Sequence, residues 1–428
     1  MVILFIHQNF PGQYKHLVRH FADKPDWRVL FLTQSRTNAM SGVERIVYDP
    51  ALPQTLDCHP FTVDFDRAVR IGLAVADACR KLKADGLRPD IICGHNGWGE
   101  MLFVKDVFPD APILSYFEFY YHAQGVDVDF DPEFASGLID PLRLRTRNAV
   151  NLLGFDAADW GNTPTLWQRA VHPPELRSRL TVLHEGVDTQ ALRPDPSAWL
   201  LLQREGVRLG WGDEVVTYVA RNLEPYRGFH TFMRASAEIL RRRPRAHIVV
   251  VGGDDVSYGN PPASGLSHRE TMLQELGSRL DLSRLHFLGK IAYDAYVKLL
   301  QISAVHVYLT YPFVLSWSFL EAMACGCAVI GSDTPPVMEV LRDRENGLAV
   351  DFFNPIAIAD KVDALLDDRS GAASLRRAAR DTAVQAFDLK SRQLPLWERL
   401  IEDLLERRRP ALTPGAPDAV PEPQARQA

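Results

Sequence analysis

"AVHVYLTYPFVLSWSFLEAMACGCAVIGS" occupies residues 304–332. Its two ends, "AVHVYL" and "CAVIGS", are continuous apolar runs, the pattern of strands buried on both faces. Between them Ser316 or Ser318 can cap a helix that runs through Glu321 and Ala324 and stops at Gly326. A strand, a helix and a strand in that order predict a parallel pair, because parallel strands need a long crossover. One carboxylate, Glu321, stands in an otherwise small and apolar helix. That placement raises the question of what a lone Glu does there.

The same alternation extends in both directions. In the first half the strand candidates are "VILFI", "RVLFL", "DIICG", "PILSYF" and "LTVLHEG". In the second half "EVVTYVA", "AHIVVVGG", "RLHFLG" and "GLAV" join the two runs above. Helical patterns lie between them, such as "GQYKHLVRHFADK", "DRAVRIGLAVADACRKLKAD", "GFHTFMRASAEILRRRP" and "DAYVKLLQIS". The expected class is α/β, with parallel sheets covered by helices. The alternation breaks at 189–213, where turn residues and two prolines precede a fresh strand. This predicts two Rossmann-like domains facing a central cleft, over 1–189 and 190–387. An amphipathic helix follows at 388–409, then a Pro- and Ala-rich tail at 410–428 expected to be disordered.

The 428 residues suffice for two domains of ordinary size, and a net charge of -6 with interspersed signs gives no footprint for nucleic acid. No run is long enough to span a membrane, and the N-terminus lacks the basic region of a signal peptide. The five cysteines (Cys58, Cys79, Cys93, Cys325, Cys327) form no metal-ligand pattern. Their odd number fits reduced thiols in a cytoplasm. Cys325 and Cys327 flank Gly326 and read as small buried residues.

Several places can carry chemistry. Gly12 in "QNFPGQYKHL" sits between the first strand and a helix, where amides and the helix dipole suit an anion; a plain βα turn explains it equally. The G-x-G-x-x-G fingerprint of dinucleotide enzymes is absent. In "YVARNLEPYRGFHTF", Arg221 leaves a strand and Arg227 precedes a Gly at a helix start. Two such guanidiniums can clamp a diphosphate. Gly252 and Gly253 end another strand, where backbone can approach a nucleotide. Ser316, Trp317 and Ser318 offer amides at a helix start, and Glu321, read as lying in that helix's first turns, can accept from a vicinal diol such as ribose. "SYFEFYYHAQG" sets Glu118 and His122 among aromatics past a strand end, where they can orient a sugar or handle a proton. "GVDVDFDPEF" carries Asp127, Asp129 and Asp131 in D-x-D spacing; a metal clip and an exposed polar loop edge are both readings, and the edge is favoured.

Taken in order, these pieces resemble the retaining glycosyltransferases of the GT-B fold in family 4. The resemblance covers roughly residues 1–390 and rests on "ILFIHQNFPGQYKHL", "PILSYFEFYYHAQGVDVDFDPEF", "LTVLHEGVDTQALRP", "VARNLEPYRGFHTFMRA", "VVVGGDD", "HFLGKIAYDAYVKLLQISAVHVYLTYP", "SFLEAMACGCAVIGSDTPPVMEVL" and "NGLAV". It implies transfer of a sugar from a nucleotide diphosphate sugar to a glycan or lipid-linked acceptor, with retention and without a metal or other cofactor. Glu321 matches the second Glu of the family's paired motif, which binds ribose. Arg221 matches the Arg that opens the diphosphate clamp, and Arg227 stands where Lys is usual. Gly12 matches the turn near the donor phosphates, and the stretch Leu288–Ile291, with Lys290 in it, matches the backbone that holds the nucleobase. A cytoplasmic location is implied. A lipid-linked acceptor would add peripheral membrane contact, although Arg143, Arg145 and Arg147 in "PLRLRTRN" are explained as well by a solvated face.

The chain departs from the family at named positions. The first Glu of the pair is replaced by Phe313, and the usual Gly-Phe-Gly turn by Val314, Leu315 and Ser316. Glu118 stands where a His is frequent, with His122 four residues later. The expected mechanism is a front-face displacement. Arg221 and Arg227 stabilise the leaving diphosphate, the departing phosphate takes the acceptor's proton, and Glu118 or His122 orients the donor sugar. The alternatives are a GT-B nucleotide-sugar epimerase, a phosphorylase, for which no pyridoxal-phosphate lysine setting is found, or a sugar-nucleotide-binding scaffold in which Phe313 marks lost catalysis.

Overall fold

Fifteen strands and their helices are described in a computed structural model, which covers residues 1–53, 57–134, 141–202 and 206–413. The tail expected to be disordered at 410–428 lies outside the described residues from 414 onward. The chain divides into two units, Met1–Gly186 with Leu389–Ala428, and Val187–Asp388.

The first unit is built on a seven-stranded sheet. Its strands are β1 (Val2–Ile6), β2 (Arg28–Thr33), β3 (Val43–Val47), β4 (Ile91–His95), β5 (Ile113–Tyr116), β6 (Trp160–Thr163) and β7 (Leu180–Val182). They lie in the order β3-β2-β1-β4-β5-β6-β7, and every neighbouring pair is parallel. Central β1 pairs Phe5 with Phe31 on one side and Cys93 on the other, and all three are buried. Burial on both faces explains why such strands read as unbroken apolar runs. The C-terminal helix Leu394–Leu405 belongs to this unit. Trp397, Leu400, Ile401 and Leu404 recur at helical spacing and sink into the core that holds Phe5 and Phe21. The Trp397 indole N–H donates to the His184 carbonyl at 3.0 Å.

The second unit contains a six-stranded parallel sheet. Its strands are β10 (Val215–Asn222), β11 (His247–Gly253), β12 (Leu285–Gly289), β13 (Val305–Tyr308), β14 (Ala328–Ser332) and β15 (Leu348–Val350), in the order β12-β11-β10-β13-β14-β15. The opening stretch is therefore β13, the helix Trp317–Ala324 and β14, and β13 and β14 pair in parallel. Gly228 precedes the helix Phe229–Arg242 with φ +65°; a Cβ there would meet Leu309 Cβ at 2.5 Å, so only glycine fits this turn.

Three features differ from the sequence reading. The chain enters the second unit at Val187, ahead of the 189–213 joint, and leaves it at Asp388. Val187 and Asp388 form a parallel bridge, so the unit's entry and exit lie side by side. The segment around 199–210, read as part of the domain joint, is an antiparallel hairpin of β8 (Trp199–Leu202) and β9 (Val207–Gly210). Strands β3 and β6 carry no apolar run. β3, "VERIV", is an edge strand with exposed polar positions, and β6, "WGNT", buries Asn162 and Thr163. All five cysteines are free, and Cys325 and Cys327 are buried small residues, with burial holding the Cys327 thiol up to about 12.

Candidate functional site

Each parallel sheet reverses its strand order once, and in open α/β sheets ligands bind beside the carboxyl ends of strands at that reversal. In the second unit the reversal falls between β10 and β13. Arg221 is the penultimate residue of β10 and is exposed, with no hydrogen bond or ion pair among the described residues. Arg227, six residues on, has a different environment. It is buried, and its Nη1 donates to Tyr308 Oη (3.1 Å), Thr310 Oγ1 (2.8 Å) and the Val314 carbonyl (2.9 Å). Its guanidinium carbon lies 5.4 Å from the Tyr258 ring centroid. The sequence paired these two arginines as one clamp. The structure gives Arg221 an open cationic face and makes Arg227 the anchor of the segment after β13.

Phe313 belongs to that anchored segment. It is buried, with ring centroids 5.0 Å from Tyr258 and 5.7 Å from Tyr226, and Tyr226 in turn is 4.6 Å from Tyr311. The position where the family carries a carboxylate is thus filled by an aromatic cluster beside Arg227. Phe313, read in the sequence only as the replacement of the first Glu, is a buried member of this cluster. Its burial is consistent with apolar Val314 and Leu315, which are buried as well.

Glu224, not singled out in the sequence, holds the neighbouring loop. Its buried carboxylate accepts from the amides of Ser257 (3.1 Å), Tyr258 (3.0 Å) and Gly259 (3.0 Å). Successive amides converging on one carboxylate form a nest. "EPYRG" contained the signal, an acidic residue in a strand-exit turn, but its partner lies more than thirty residues away. Gly252 and Gly253 serve close packing here. A Cβ on Gly252 would lie 2.6 Å from Leu223 Cδ2, and one on Gly253 2.5 Å from Lys290 Cε. Lys290 is exposed and pairs with Asp255 at 3.2 Å. Leu288 and Ile291 are half-buried and pack on the core beneath β10 and β11.

The helix Trp317–Ala324 is capped by Ser316, whose hydroxyl accepts from the Ser318 amide (3.4 Å) and the Ser318 hydroxyl (3.1 Å). The Ser316 amide donates to Tyr308 Oη at 2.7 Å. The Ser316 and Ser318 amides, offered by the sequence at a helix start, are thus engaged by Tyr308 of β13 and by the Ser316 hydroxyl. Trp317 is half-buried. Glu321 is the fifth residue of this eight-residue helix, within its first turns as read from the sequence but past the N-terminal turn. The helix dipole does not explain it. Two tyrosines do: Tyr293 Oη donates to Oε1 at 3.1 Å and Tyr296 Oη to Oε2 at 2.6 Å.

In the first unit the reversal falls between β1 and β4. His7 follows β1, His95 ends β4, and Glu118 lies two residues past β5. His7 Nδ1 accepts from the Asn9 amide (2.8 Å) and His95 Nδ1 from the Gly97 amide (2.9 Å). In the neutral ring, a nitrogen that accepts leaves the proton on the other one. His7 Nε2–H therefore donates to Gln13 Oε1 (2.5 Å), and Gln13 Nε2 donates to Glu118 Oε1 (3.3 Å). His95 Nε2, fully buried, faces Glu118 Oε2 at 3.6 Å. The His95 ring is stacked on Trp98 at 4.1 Å. Glu118, partly exposed, is the carboxylate that this network holds. Gly12 supports it, because a Cβ there would fall 2.6 Å from the His7 ring. Deeper in the unit, burial pushes the Glu100 carboxyl above its ordinary range, and Tyr48 Oη donates to it at 3.2 Å.

His122 takes no part in this network. Its Nε2 bonds the Val171 carbonyl at 2.6 Å, which ties down the aromatic loop after β5. The D-x-D stretch is split: Asp127 and Asp131 are buried and Asp129 is exposed, which corrects the exposed-edge reading. Asp131 Oδ1 accepts from the Glu133 amide at 3.0 Å and so caps a short turn. Among the described residues no group of three His, Cys, Asp or Glu could hold a metal ion. Arg143 pairs with Asp64 (3.1 Å) and Arg147 lies over the Tyr121 ring (3.8 Å). Among the described residues no helix is long and apolar enough to cross a membrane.

A family model described as "Glycosyl transferase family 4 group" matches residues 25–192, and one described as "Glycosyl transferases group 1" matches residues 203–382. A D-inositol 3-phosphate glycosyltransferase of Nocardia farcinica is 29% identical over 54% of this chain and 47% of its own length. An N,N'-diacetylbacillosaminyl-diphospho-undecaprenol alpha-1,3-N-acetylgalactosaminyltransferase of Campylobacter jejuni is 29% identical over 44% of this chain and 46% of its own. The chain thus spans about half the length of the curated relatives it matches. Among solved structures, sucrose-phosphate synthase of Thermosynechococcus elongatus superposes with a TM-score of 0.69 at 20% identity, covering 95% of this chain and 100% of that one. Anabaena HepE in complex with UDP and glucose superposes at 0.64 and 18% identity, covering 94% and 100%. With one matched model in each unit and the fold common to both, the chain belongs to the GT-B glycosyltransferases of the family-4 type.

Proposed function

We propose that the chain transfers a sugar from a nucleoside diphosphate sugar to a glycan or lipid-linked acceptor, with retention at the anomeric carbon. The observation that carries this reading is the exposed cation Arg221 at the carboxyl end of β10, at the strand-order reversal of the second unit. In this reading Arg221 meets the diphosphate, Glu321 holds the ribose hydroxyls, and backbone from Leu288 to Ile291 meets the base. A guanidinium fork can take two phosphate oxygens and offset the charge that develops as the sugar departs. That role needs no metal ion and no cofactor beyond the donor.

Glu118 addresses the reacting sugars. The hydrogen bond from Gln13 and the facing His95 Nε2–H fix its carboxylate, so it arrives oriented. The leaving phosphate oxygen takes the acceptor's proton, and Glu118 positions rather than attacks. Peripheral contact with a membrane belongs to this reading only where the acceptor is lipid-linked. UDP or GDP sugars are the first donors to test, since the Anabaena neighbour binds UDP. The test is an assay of nucleoside diphosphate release with and without acceptor, followed by the anomeric proton of the product in NMR. Acceptor-dependent release with the donor's anomeric configuration preserved supports the reading. Turnover of donor without acceptor would favour an epimerase, and binding without turnover a scaffold.

A further inference from the structure

Each oxygen of the Glu321 carboxylate accepts from a tyrosine hydroxyl. Tyr293 Oη reaches Oε1 at 3.1 Å, and Tyr296 Oη reaches Oε2 at 2.6 Å. The two tyrosines start the helix Tyr293–Ile302 and differ in setting. Tyr296 is buried among Phe319, Leu320 and Met323, whereas Tyr293 is 47% exposed. Burial and the Glu321 charge both push these phenols well above their usual range, so they remain protonated donors. A side chain packed in a core keeps one position; an exposed one on the first helical residue can swing away at little cost.

We propose that Tyr293 is a gate on Glu321: its hydroxyl occupies the carboxylate oxygen that a donor ribose takes, and it is displaced when nucleotide binds, while Tyr296 stays and fixes the carboxylate. The inference rests on the reading of Glu321 as the ribose partner. The exchange replaces one hydroxyl donor by another, so it lowers affinity for every donor without choosing among sugars. It also couples nucleotide occupancy to the segment after β12, because Tyr293 follows the Leu288–Ile291 backbone by two residues. Nothing in the family's paired-Glu motif specifies these tyrosines; they belong to "IAYDAYVKLL" of this chain.

Isothermal titration of UDP and of GDP into the full chain, its Tyr293→Phe variant and its Tyr296→Phe variant tests the gate. Each substitution removes one hydroxyl and keeps the ring. Removing the competing hydrogen bond should tighten binding about fivefold in Tyr293→Phe. Losing the fixed bond in Tyr296→Phe should weaken it by a similar factor. With the 2′,3′-dideoxy form of the same nucleotide the Tyr293→Phe gain should vanish, because no ribose hydroxyl competes. Unchanged or weaker ribonucleotide binding by Tyr293→Phe overturns the gate while leaving the donor site standing. A gain that persists with the dideoxy nucleotide also overturns it. No binding of either nucleotide to any of the three proteins overturns the donor site and the gate together.

Discussion

Arg227 donates through Nη1 to the Val314 carbonyl at 2.9 Å, one residue beyond Phe313. A buried guanidinium therefore carries the turn where the family's first carboxylate would stand. The same nitrogen reaches Tyr308 and Thr310, so three acceptors on one segment depend on one side chain. Arg227→Met removes the charge and leaves those buried acceptors without their donor. The expected loss of stability is about 3 kcal/mol, read by urea unfolding of the variant against wild type. Arg227→Lys should fall short of full recovery, because an ammonium lacks the planar fork.

Arg221 should behave in the opposite way. It is exposed and has no partner among the described residues, so Arg221→Ala should change stability by no more than about 0.5 kcal/mol. Sugar transfer should fall by about a hundredfold or more if the guanidinium meets the leaving diphosphate. Paired unfolding and kinetic measurements separate the two arginines. Equal stability losses in both variants would contradict the division of labour.

Phe313 is a packing residue here, with Tyr258 and Tyr226 against its ring. Phe313→Ala should cost about 3–4 kcal/mol, the usual range for an aromatic deleted from a core. A loss under about 1 kcal/mol in thermal or chemical unfolding would show that the cluster is not packed as described.

Glu118 is the charged member of the first unit's network. Glu118→Gln keeps an amide of the same shape beside Gln13 and removes the charge facing His95. Transfer should drop by at least about tenfold, while nucleoside diphosphate affinity, set in the second unit, stays within about twofold. Equal losses in transfer and nucleotide binding would remove Glu118 from its assigned role.

Acid should weaken both units. Burial lowers His172 in the first unit to about 4 and His306 in the second to about 3, against an ordinary value of 6.5. In both rings Nε2 is buried without a hydrogen-bond partner, so a second proton there has no acceptor. Between the folded and unfolded values the unfolded chain binds the proton and the folded chain does not. Stability from this source is full above pH 6.5 and is lost as the pH falls toward 4 and below. The effect is of order 3 kcal/mol for His172. Urea unfolding at pH 7 and pH 5 should show the loss, and His172→Gln should reduce it in the first unit.

The central elements of both sheets were legible because strands buried on both faces leave unbroken apolar runs, as in "VILFI" and "AHIVVVGG". The edges were not. β3 exposes Glu44, β6 buries Asn162 and Thr163, and the β8–β9 hairpin follows Pro194 and Pro196 in the stretch read as the domain joint. For the site, the sequence located Arg221, Glu118 and Glu321 correctly as strand-end or helix residues. What it could not supply was partnership across distance. Glu321 meets Tyr293 and Tyr296 from the preceding helix, Arg227 meets a turn more than eighty residues on, and Glu224 meets the loop after β11. Each of these bonds joins segments that only the parallel sheet brings together. His7 and His95 are hidden in the sequence for the same reason: each ends or follows its own strand, and only the order β1-β4-β5 sets them beside Glu118.

A thermal-shift titration of UDP- and GDP-sugars with wild type and Arg221→Ala tests the diphosphate site most directly. A ligand at about a hundred times its dissociation constant stabilises the folded state by about 2.7 kcal/mol. At least one donor should raise the wild-type melting temperature by several degrees, and Arg221→Ala should lose most of that rise. No shift with any donor, or an equal shift in the variant, would contradict a diphosphate site at the end of β10.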